Sequence, residues 1–410
     1  MSPSAVVDVL ELLAQKSFNG VERKELYNAA LKLAWSLESE QDTAQRLYHG
    51  HLPLATAQTG IDLNLFKYLS EHSEKAFSVK ELATHCDADP VLLARLLRFY
   101  ASQCMVFQTA EGKFAASNIT RNLSIPGTAA GIKHYSLTMT PAYNAIPEFL
   151  AQTKYANPTT SAPFNMAYKT EMGVFEWRKH NPKNAKAGQE FMAAQRMGQR
   201  SVWDGQVPMH DFALSQEDLQ NGRVLMCDVG AGFGHQSIDF RKFNPKIQGQ
   251  IVVEDLPLVQ DMIPNRPELA ALDITVQPHD FMQEQPIKDA KVYYLRNVIH
   301  NWNNEPSKTI LSRISQAMAR NSVIIIDDVV MPKVGASWKQ ASMDLAMMTM
   351  LAAVERTEDD FASLLAGAGL KIREMWTYDE DYGDTLIVAE RIPSRSSSPM
   401  QAEDGTWSTQ

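Results

Sequence analysis

The sequence predicts an α/β fold, in which a Rossmann-like domain with a parallel sheet follows a helical region. Apolar residues before about residue 205 recur mostly at helical spacing. After that point, short apolar runs alternate with helical patterns, which is typical of a parallel sheet covered by helices. A glycine turn, Gly230-Ala-Gly232-Phe-Gly234, directly follows the first run. The predicted strands are residues 224–229, 251–255, 273–277, 291–296 and 322–327.

Length and composition exclude several classes of protein. With 410 residues, the chain is long enough for two or three domains. Its net charge of -9 argues against a nucleic-acid partner. Three widely spaced cysteines form neither a disulfide framework nor a metal quartet, so no metal is expected. Neither a signal peptide nor a membrane-spanning apolar run is recognisable, and a cytoplasmic protein without a membrane partner is expected.

Residues 1–125 are predicted to form a helical and winged-helix domain. Ser78-Val-Lys-Glu81 is a capping box, and Asp89-Pro90 is a helix start. Apolar pairs at 106–107 and 114–115 predict a hairpin that would be the wing. Such a domain could belong to a ligand-binding regulator of transcription. Because the helix that would enter DNA carries few basic residues, this hypothesis is the least favoured.

Residues 126–205 form a helical segment rich in aromatic residues and methionine. Such residues at helical spacing fit a protein core, and they also suit a broad apolar ligand pocket. Residues 206–392 contain the predicted sheet, which a hairpin at 371–376 and 385–389 is expected to close. The polar tail, residues 393–410, is predicted to be disordered.

The glycine turn indicates a nucleoside cofactor site. A glycine turn at the carboxyl end of a strand admits a ligand close to the backbone, and an acidic residue about 20 positions later binds ribose. The spacing is G-x-G-x-G, not the G-x-G-x-x-G of dinucleotide sites. Glu254 and Asp255 end the second strand, and only one of two adjacent strand residues faces the site.

Six motifs follow one another in a fixed order along the second half of the chain. They are Asp228-Val-Gly-Ala-Gly-Phe-Gly234, Asp255-Leu-Pro257, His279-Asp280-Phe-Met282, Arg296-Asn-Val-Ile-His300-Asn-Trp302, Asp327-Asp-Val-Val-Met-Pro332 and Glu355-Arg-Thr357. With them, about the whole chain resembles the S-adenosylmethionine (SAM) dependent O-methyltransferases of the plant caffeate type and their fungal relatives, including O-methyltransferase-like pericyclases. The resemblance implies a class I methyltransferase fold, a homodimer formed through the N-terminal domain, and a small aromatic or polyketide-type substrate.

The resemblance also implies which residues bind SAM and which line the substrate cavity. Asp255 is the preferred ribose ligand and Glu254 the alternative, while Asp280 and Phe281 match adenine-contacting positions. The helical segment is expected to form the acceptor cavity together with Met343, Met347 and Met350. The full predicted cofactor set is Asp228, Gly230, Gly232, Gly234, Glu254, Asp255, Asp280, Phe281, Arg296 and Trp302.

His300 is the candidate general base. It follows the fourth predicted strand, and an imidazole is suited to accept the proton of a phenol or enol. Asp328 and Glu355 match acidic positions of the family, and either could orient the imidazole. One departure from the family pattern is Asn301, where an aspartate is usual.

A second function remains open, that of a SAM-dependent pericyclase or dehydratase of a fungal pyridone-alkaloid type pathway. Such enzymes share this fold and use a histidine and an arginine, which His134 and Arg296 match. Asn297 is neutral where such an enzyme has an aspartate. His134 would equally fit a core position in a helix.

Overall fold

The computed structural model describes residues 3–14, 16, 18–194, 201–205, 209–257, 259 and 267–393. The chain separates into two compact units, residues 1–132 and 133–410. The domain bounds at 125, 205 and 392 stay predictions. The predicted disordered tail lies outside the described residues except for Pro393.

The first unit is mainly helical. Its two predicted helix starts are present: Ser78 accepts a hydrogen bond from the Glu81 backbone N–H, and Asp89 accepts from Val91 and Leu92. Buried leucines and phenylalanines form its core. Its helices are α1 Pro3–Ala14, α2 Gly20–Ser36, α3 Glu40–Tyr48, α4 Leu52–Asp62, α5 Leu65–Glu71, α6 Val79–Cys86, α7 Pro90–Ser102 and α8 Asn118–Ser124, followed by α9 Pro126–His134, which crosses the boundary.

A small antiparallel sheet completes the first unit. It consists of β1 Phe77–Ser78, β2 Val106–Ala110 and β3 Lys113–Ala116, with β3 in the centre. The predicted hairpin therefore forms, because Phe107 pairs with Ala115 across the turn. A role of this unit in dimerisation stays a prediction.

The second unit begins with short helices that are rich in aromatic residues. A π-helical turn, Tyr135–Met139, continues α9 directly. The helices that follow are α10 Thr140–Asn144, α11 Ile146–Gln152, α12 Pro163–Tyr168, α13 Val174–Lys179 and α14 Pro182–Ala194.

A mixed sheet dominates the rest of the second unit. Its strands are β4 Met226–Val229, β5 Ile251–Asp255, β6 Ile274–Pro278, β7 Val292–Arg296, β8 Val323–Met331, β9 Arg356–Thr357, β10 Leu370–Asp379 and β11 Asp384–Arg391. The order is β10-β11-β8-β7-β4-β5-β6, and β9 pairs with β8. Strands β4 to β8 are parallel, whereas β11 is antiparallel to β8 and β10. This arrangement confirms the predicted class I methyltransferase fold.

Helices cover both faces of this sheet. Two buried apolar clusters, one on each face, form the core. The helices are α15 Gln216–Gln220, α16 His235–Phe243, α17 Pro267–Ala271, α18 Asn304–Ala317, α19 Trp338–Leu351 and α20 Glu358–Gly367, with 3₁₀ turns at Met209–Phe212 and Ile299–Asn301. No helix among the described residues combines the length and apolar character that crossing a bilayer requires.

One predicted strand is longer than expected. The apolar run predicts a strand that ends at residue 327, but β8 continues to Met331. The extension follows from pairing on both sides, since Thr385 of β11 pairs with Asp328 and Arg356 of β9 pairs with Val330. Asp328 is therefore a buried strand residue and not a loop residue.

Candidate active site

The site lies where the chain crosses from one side of β4 to the other. β5 pairs with one edge of β4 and β7 with the other, so the loops after these strands diverge at this point. In open α/β sheets, ligands bind outside the carboxyl ends of the strands at such a switch point. Gly230 directly follows β4, Asp255 ends β5 and Arg296 ends β7. Three predicted motifs therefore meet here.

The glycine turn packs against Phe281, which belongs to an aromatic pair. Gly230 has a φ of +72°, and a Cβ at this position would lie 2.9 Å from Val298 Cγ2 and 3.5 Å from Phe281 Cε1. Phe281 in turn meets Trp302 edge to face, with ring centroids 6.1 Å apart. A side chain at Gly230 would thus be strained and crowded. Gly230, Phe281 and Trp302 therefore lie close together, and their contact with a cofactor stays a prediction.

The two acidic residues at the end of β5 have different surroundings. The half-buried Asp255 accepts hydrogen bonds from the backbone N–H groups of Gly232 and Leu256, each at 2.7 Å. Burial raises the pKa of Asp255, and these two hydrogen bonds lower it. Glu254 is buried and accepts a hydrogen bond from Gln285 at 2.9 Å. Asp255 is therefore the more accessible carboxylate beside the glycine turn.

Two other predicted cofactor residues shape the loops around the site. Ser237 of α16 donates a 2.6 Å hydrogen bond to Asp228, which is buried. Burial raises the pKa of Asp228 to about 7. Asp280 accepts a hydrogen bond from the Met282 backbone N–H at 3.0 Å and so stabilises a turn, although no helix starts there. Gly234 is the N-cap of α16. Their contact with a cofactor stays a prediction.

His300 lies in the 3₁₀ turn that follows β7. Its Nδ1 is 2.9 Å from Glu355 Oε1, and its backbone N–H donates to Asp328 at 3.2 Å. All three residues are buried. The two carboxylates predicted to orient the imidazole thus act differently: Glu355 contacts the ring, and Asp328 holds the backbone.

The surroundings of His300 determine its proton affinity. Burial lowers the pKa of His300, but the charge of Glu355 and the hydrogen bond to it prevail and raise this pKa to about 9. Burial raises the pKa of Asp328 to about 7. Because Glu355 accepts from Nδ1, the neutral imidazole carries its proton there and has its lone pair on Nε2. The described residues provide no hydrogen-bond partner for Nε2.

Arg356 holds the same turn in place, a role that the motifs did not predict. It is 1% exposed, and its guanidinium donates to the carbonyls of Ile299 at 3.1 Å and Trp302 at 2.8 Å. It also donates to Asn304 Oδ1 and Ser307 Oγ. Its position in the Glu355-Arg-Thr357 motif could have indicated this role, because it directly follows Glu355, which contacts the His300 ring.

Arg296 and His134 lie in different surroundings. Arg296 forms a 3.4 Å ion pair with Asp327, which also accepts 2.6 Å hydrogen bonds from Tyr294 and Tyr378. His134 stacks on Phe191, with ring centroids 5.5 Å apart. Among the described residues, no hydrogen bond, ion pair or ring contact joins Arg296 to His134. Arg296 Nη2 and His134 Nδ1 are both buried without a hydrogen-bond partner there.

An apolar cluster, here called the acceptor wall, connects the helical segment with α19. Its buried members are Met139, Ala142, Ala162, Phe164, Val174, Trp177, Ala346, Met350 and Ala352, and Tyr135, Tyr143, Ala167, Tyr168, Met347 and Leu351 pack against it. Met350 is a buried member of this cluster and Met347 packs against it, whereas Met343 is half-buried outside it. That the three methionines line an acceptor cavity stays a prediction. Asp344 of α19 accepts a hydrogen bond from the Glu355 backbone N–H at 2.9 Å, which links the wall to the His300 pair.

Comparison with known proteins identifies related chains. A family model described as an O-methyltransferase domain matches residues 153–371. The O-methyltransferase lepI of Aspergillus flavus is 32% identical over 381 residues, which are 92% of this chain and 95% of that protein. The demethylsterigmatocystin 6-O-methyltransferase of the same species is 32% identical over 374 residues, which are 90% and 94% of the two chains.

Solved structures show the same likeness. The structure of LepI in complex with SAM has a TM-score of 0.85 and 31% sequence identity, and the match covers 95% of this chain and 98% of that chain. A structure described as a pericyclic reaction enzyme also has a TM-score of 0.85 and 31% identity, with 95% and 99% of the two chains covered.

Proposed function

The chain belongs to the SAM-dependent O-methyltransferase family of fungal secondary metabolism, and on this basis we propose that it methylates a hydroxyl group of a small aromatic or polyketide-type molecule. The observation that carries the proposal is the buried His300–Glu355 pair at the carboxyl end of β7, 2.9 Å apart. A base in this place is what the transfer of a methyl group to a hydroxyl oxygen requires.

The cofactor is SAM, and the residues beside the glycine turn fit it. Glycines leave the backbone of this turn accessible to a ligand. A Cβ on Gly230 would be crowded by protein atoms, whereas a Cβ on Gly232 would meet open space. We assign Asp255 to the ribose hydroxyls, and Phe281 and Trp302 to the adenine side. When bound, SAM supplies an electrophilic methyl group on a positively charged sulfur.

His300 would remove the acceptor's proton. Glu355 keeps the Nδ1 proton in place and stabilises the imidazolium that forms when Nε2 accepts a proton. A base with a pKa of about 9 is close in strength to a phenolate, whose parent phenol has a pKa of about 10. Proton transfer from a phenol would therefore be nearly balanced, and it leaves an oxygen nucleophile.

The activity is expected to depend on pH through His300. Only the neutral imidazole is a base, so the rate should rise with pH until His300 has lost its proton, near pH 9. Replacing Glu355 by glutamine removes the charge that raises this pKa while burial still lowers it. The ascending limb of the kcat profile should then move to lower pH, with a lower plateau. Initial rates from pH 6 to 10 test this, and an unmoved limb would contradict the role of Glu355.

A homodimer is also proposed, formed through residues 1–125. Its support is the apolar surface of the N-terminal helices, where Leu12 is 56%, Val21 70% and Leu47 65% exposed. Solvent-exposed apolar faces of this kind mark interaction sites. Light scattering should give twice the mass of one chain, and the double variant Leu12→Glu/Leu47→Glu should shift the mass toward the monomer. A monomeric wild-type protein would refute the dimer.

A second candidate function is a pericyclase or dehydratase reaction that uses His134 and Arg296. Its support is the 31% identity to a pericyclic reaction enzyme, together with the buried nitrogen atoms without a partner on both side chains. Asn297 argues against this function, because it is neutral where such an enzyme has an aspartate. In this reaction the two side chains would polarise the substrate, and His300 would not be needed.

Methyl-labelled SAM separates the two functions. The purified protein is incubated with labelled SAM and a panel of phenolic and polyketide acceptors, and label in the product supports methyl transfer. Turnover of a substrate with SAM unconsumed would support the pericyclase. Calorimetry with S-adenosylhomocysteine (SAH) serves as the control for the cofactor site, and no heat of binding would remove both functions.

A further inference from the structure

Arg178 and His134 meet beside a glycine in the helical segment. A Cβ on Gly188 of α14 would lie 3.4 Å from Arg178 Cζ and 3.5 Å from both Arg178 Nη2 and His134 Cε1. The two side chains therefore approach the same point from α13 and α9. His134 is 5% exposed, and Arg178 is only partly accessible.

No carboxylate among the described residues compensates the Arg178 charge. Its Nε is buried without a hydrogen-bond partner, and burial lowers its pKa with no acidic group raising it. Two acidic residues of α13 and α14 form ion pairs with other cations: Glu176 pairs with Lys179 at 2.6 Å and Glu190 with Lys186 at 3.8 Å. A guanidinium does not lose its proton in a protein, so this charge persists without a carboxylate partner in the described part of the chain.

His134 next to Arg178 is a neutral hydrogen-bonding group. Burial and the Arg178 charge lower the pKa of His134 to about 4, so it carries no charge at neutral pH. Its Nδ1 is buried without a partner among the described residues. Phe191 stacks on the ring and holds its plane. The Arg178 cation and the neutral His134 imidazole thus lie side by side, and no described residue binds Arg178 Nε or His134 Nδ1.

The pair borders the acceptor wall. Tyr135, which follows His134, and Trp177, which precedes Arg178, both belong to that cluster. Tyr135 also meets Phe191 edge to face at 5.8 Å, so the same aromatic group contacts His134 and the wall. A substrate that packs on the wall would therefore reach Arg178 with a polar substituent.

We propose that Arg178 and His134 form a binding subsite for an anionic group of the acceptor, such as a carboxylate or an acidic enol. This inference rests on the proposed function for the identity of the ligand as acceptor. Arg178 would supply charge and two parallel N–H donors, a geometry that suits a carboxylate. His134 would add one neutral hydrogen bond. The preferred acceptors would then be acids and not their neutral analogues.

Paired probes test the subsite. We expect the SAH-loaded protein to bind 2,4-dihydroxybenzoate at least about tenfold more tightly than 2,4-dihydroxybenzamide, as measured by calorimetry. The free energy of a hydrogen bond to a charged group corresponds to at least about a tenfold change in the dissociation constant. In Arg178→Met the two dissociation constants should agree within about twofold, and Arg178→Lys should keep part of the difference. The exposed neighbour Lys179, changed to Met, is the matched control and should keep the full preference.

A wild-type protein without preference for the acid would overturn the subsite, and so would a preference that survives Arg178→Met. The Tm of Arg178→Met is an independent test of the subsite. Replacing an unpaired buried cation by an apolar side chain should raise the Tm. A lower Tm in Arg178→Met without added anion would reveal an internal partner and refute the inference. If SAH does not bind, the proposed function fails, whereas the comparison of acid with amide on the SAH-free protein still decides about the subsite.

Discussion

Replacing His300 by alanine is expected to lower kcat for methyl transfer by about 10²- to 10⁴-fold, the usual contribution of a general base. The loss is expected because Nε2 of His300 is the proposed proton acceptor, and Glu355 contacts the ring only at Nδ1. The residual rate should rise with pH toward about 10, where a phenol ionises by itself. Added imidazole should restore part of the activity by entering the vacated space.

Two variants keep this result interpretable. His300→Gln retains a hydrogen-bond donor toward Glu355 without a basic nitrogen, so it should lose activity while its Tm stays closer to that of the wild type. His180→Ala removes an exposed histidine and should be fully active. SAH affinity, measured by calorimetry, should change little in all three. Unchanged methylation by His300→Ala would exclude His300 as the base, and cycloaddition that survives in this variant would favour the pericyclase.

Replacing Arg356 by methionine is expected to lower the free energy of unfolding by about 3 kcal/mol or more. The change leaves the carbonyls of Ile299 and Trp302 and the side chains of Asn304 and Ser307 without their buried donor, and each unsatisfied group costs about 1–3 kcal/mol before relaxation. For a unit of this size, the Tm should fall by roughly 6–12 °C. Thermal denaturation followed by circular dichroism measures the effect.

The activity of the Arg356 variant tests its positioning role. Well below the Tm, kcat should still be reduced, because the turn that carries His300 is no longer fixed, whereas SAH affinity should be nearly unchanged. Arg356→Lys should recover little, since an ammonium cannot reach both carbonyls in the fork geometry of a guanidinium. Arg320→Met, an exposed arginine, should change stability by no more than about 0.5 kcal/mol. Wild-type stability in Arg356→Met would contradict the contacts assigned here.

Much of the cofactor site was predictable from the order of the motifs. In a parallel sheet all carboxyl ends lie on one edge, so residues that directly follow successive strands converge. Gly230, Asp255 and the turn of His300 converge in this way. The resemblance favoured Asp255 over Glu254 as the ribose ligand but left Glu254 as the alternative, because the choice depends on which face of β5 each residue occupies. The partner of the His300 ring was not predictable either, since Asp328 and Glu355 match the family pattern equally.

Apolar periodicity and the glycine turn indicated the fold class and a nucleoside site, because these patterns are properties of neighbouring residues. The cofactor SAM and the candidate base followed from the resemblance to a family that the ordered motifs carry. Only the tertiary structure decided which carboxylate holds the imidazole, that Arg356 fixes its turn, and that Arg178 meets His134 over Gly188 without an acidic partner among the described residues. These contacts join residues tens of positions apart. Their distances and burial arise from packing, which no local pattern encodes.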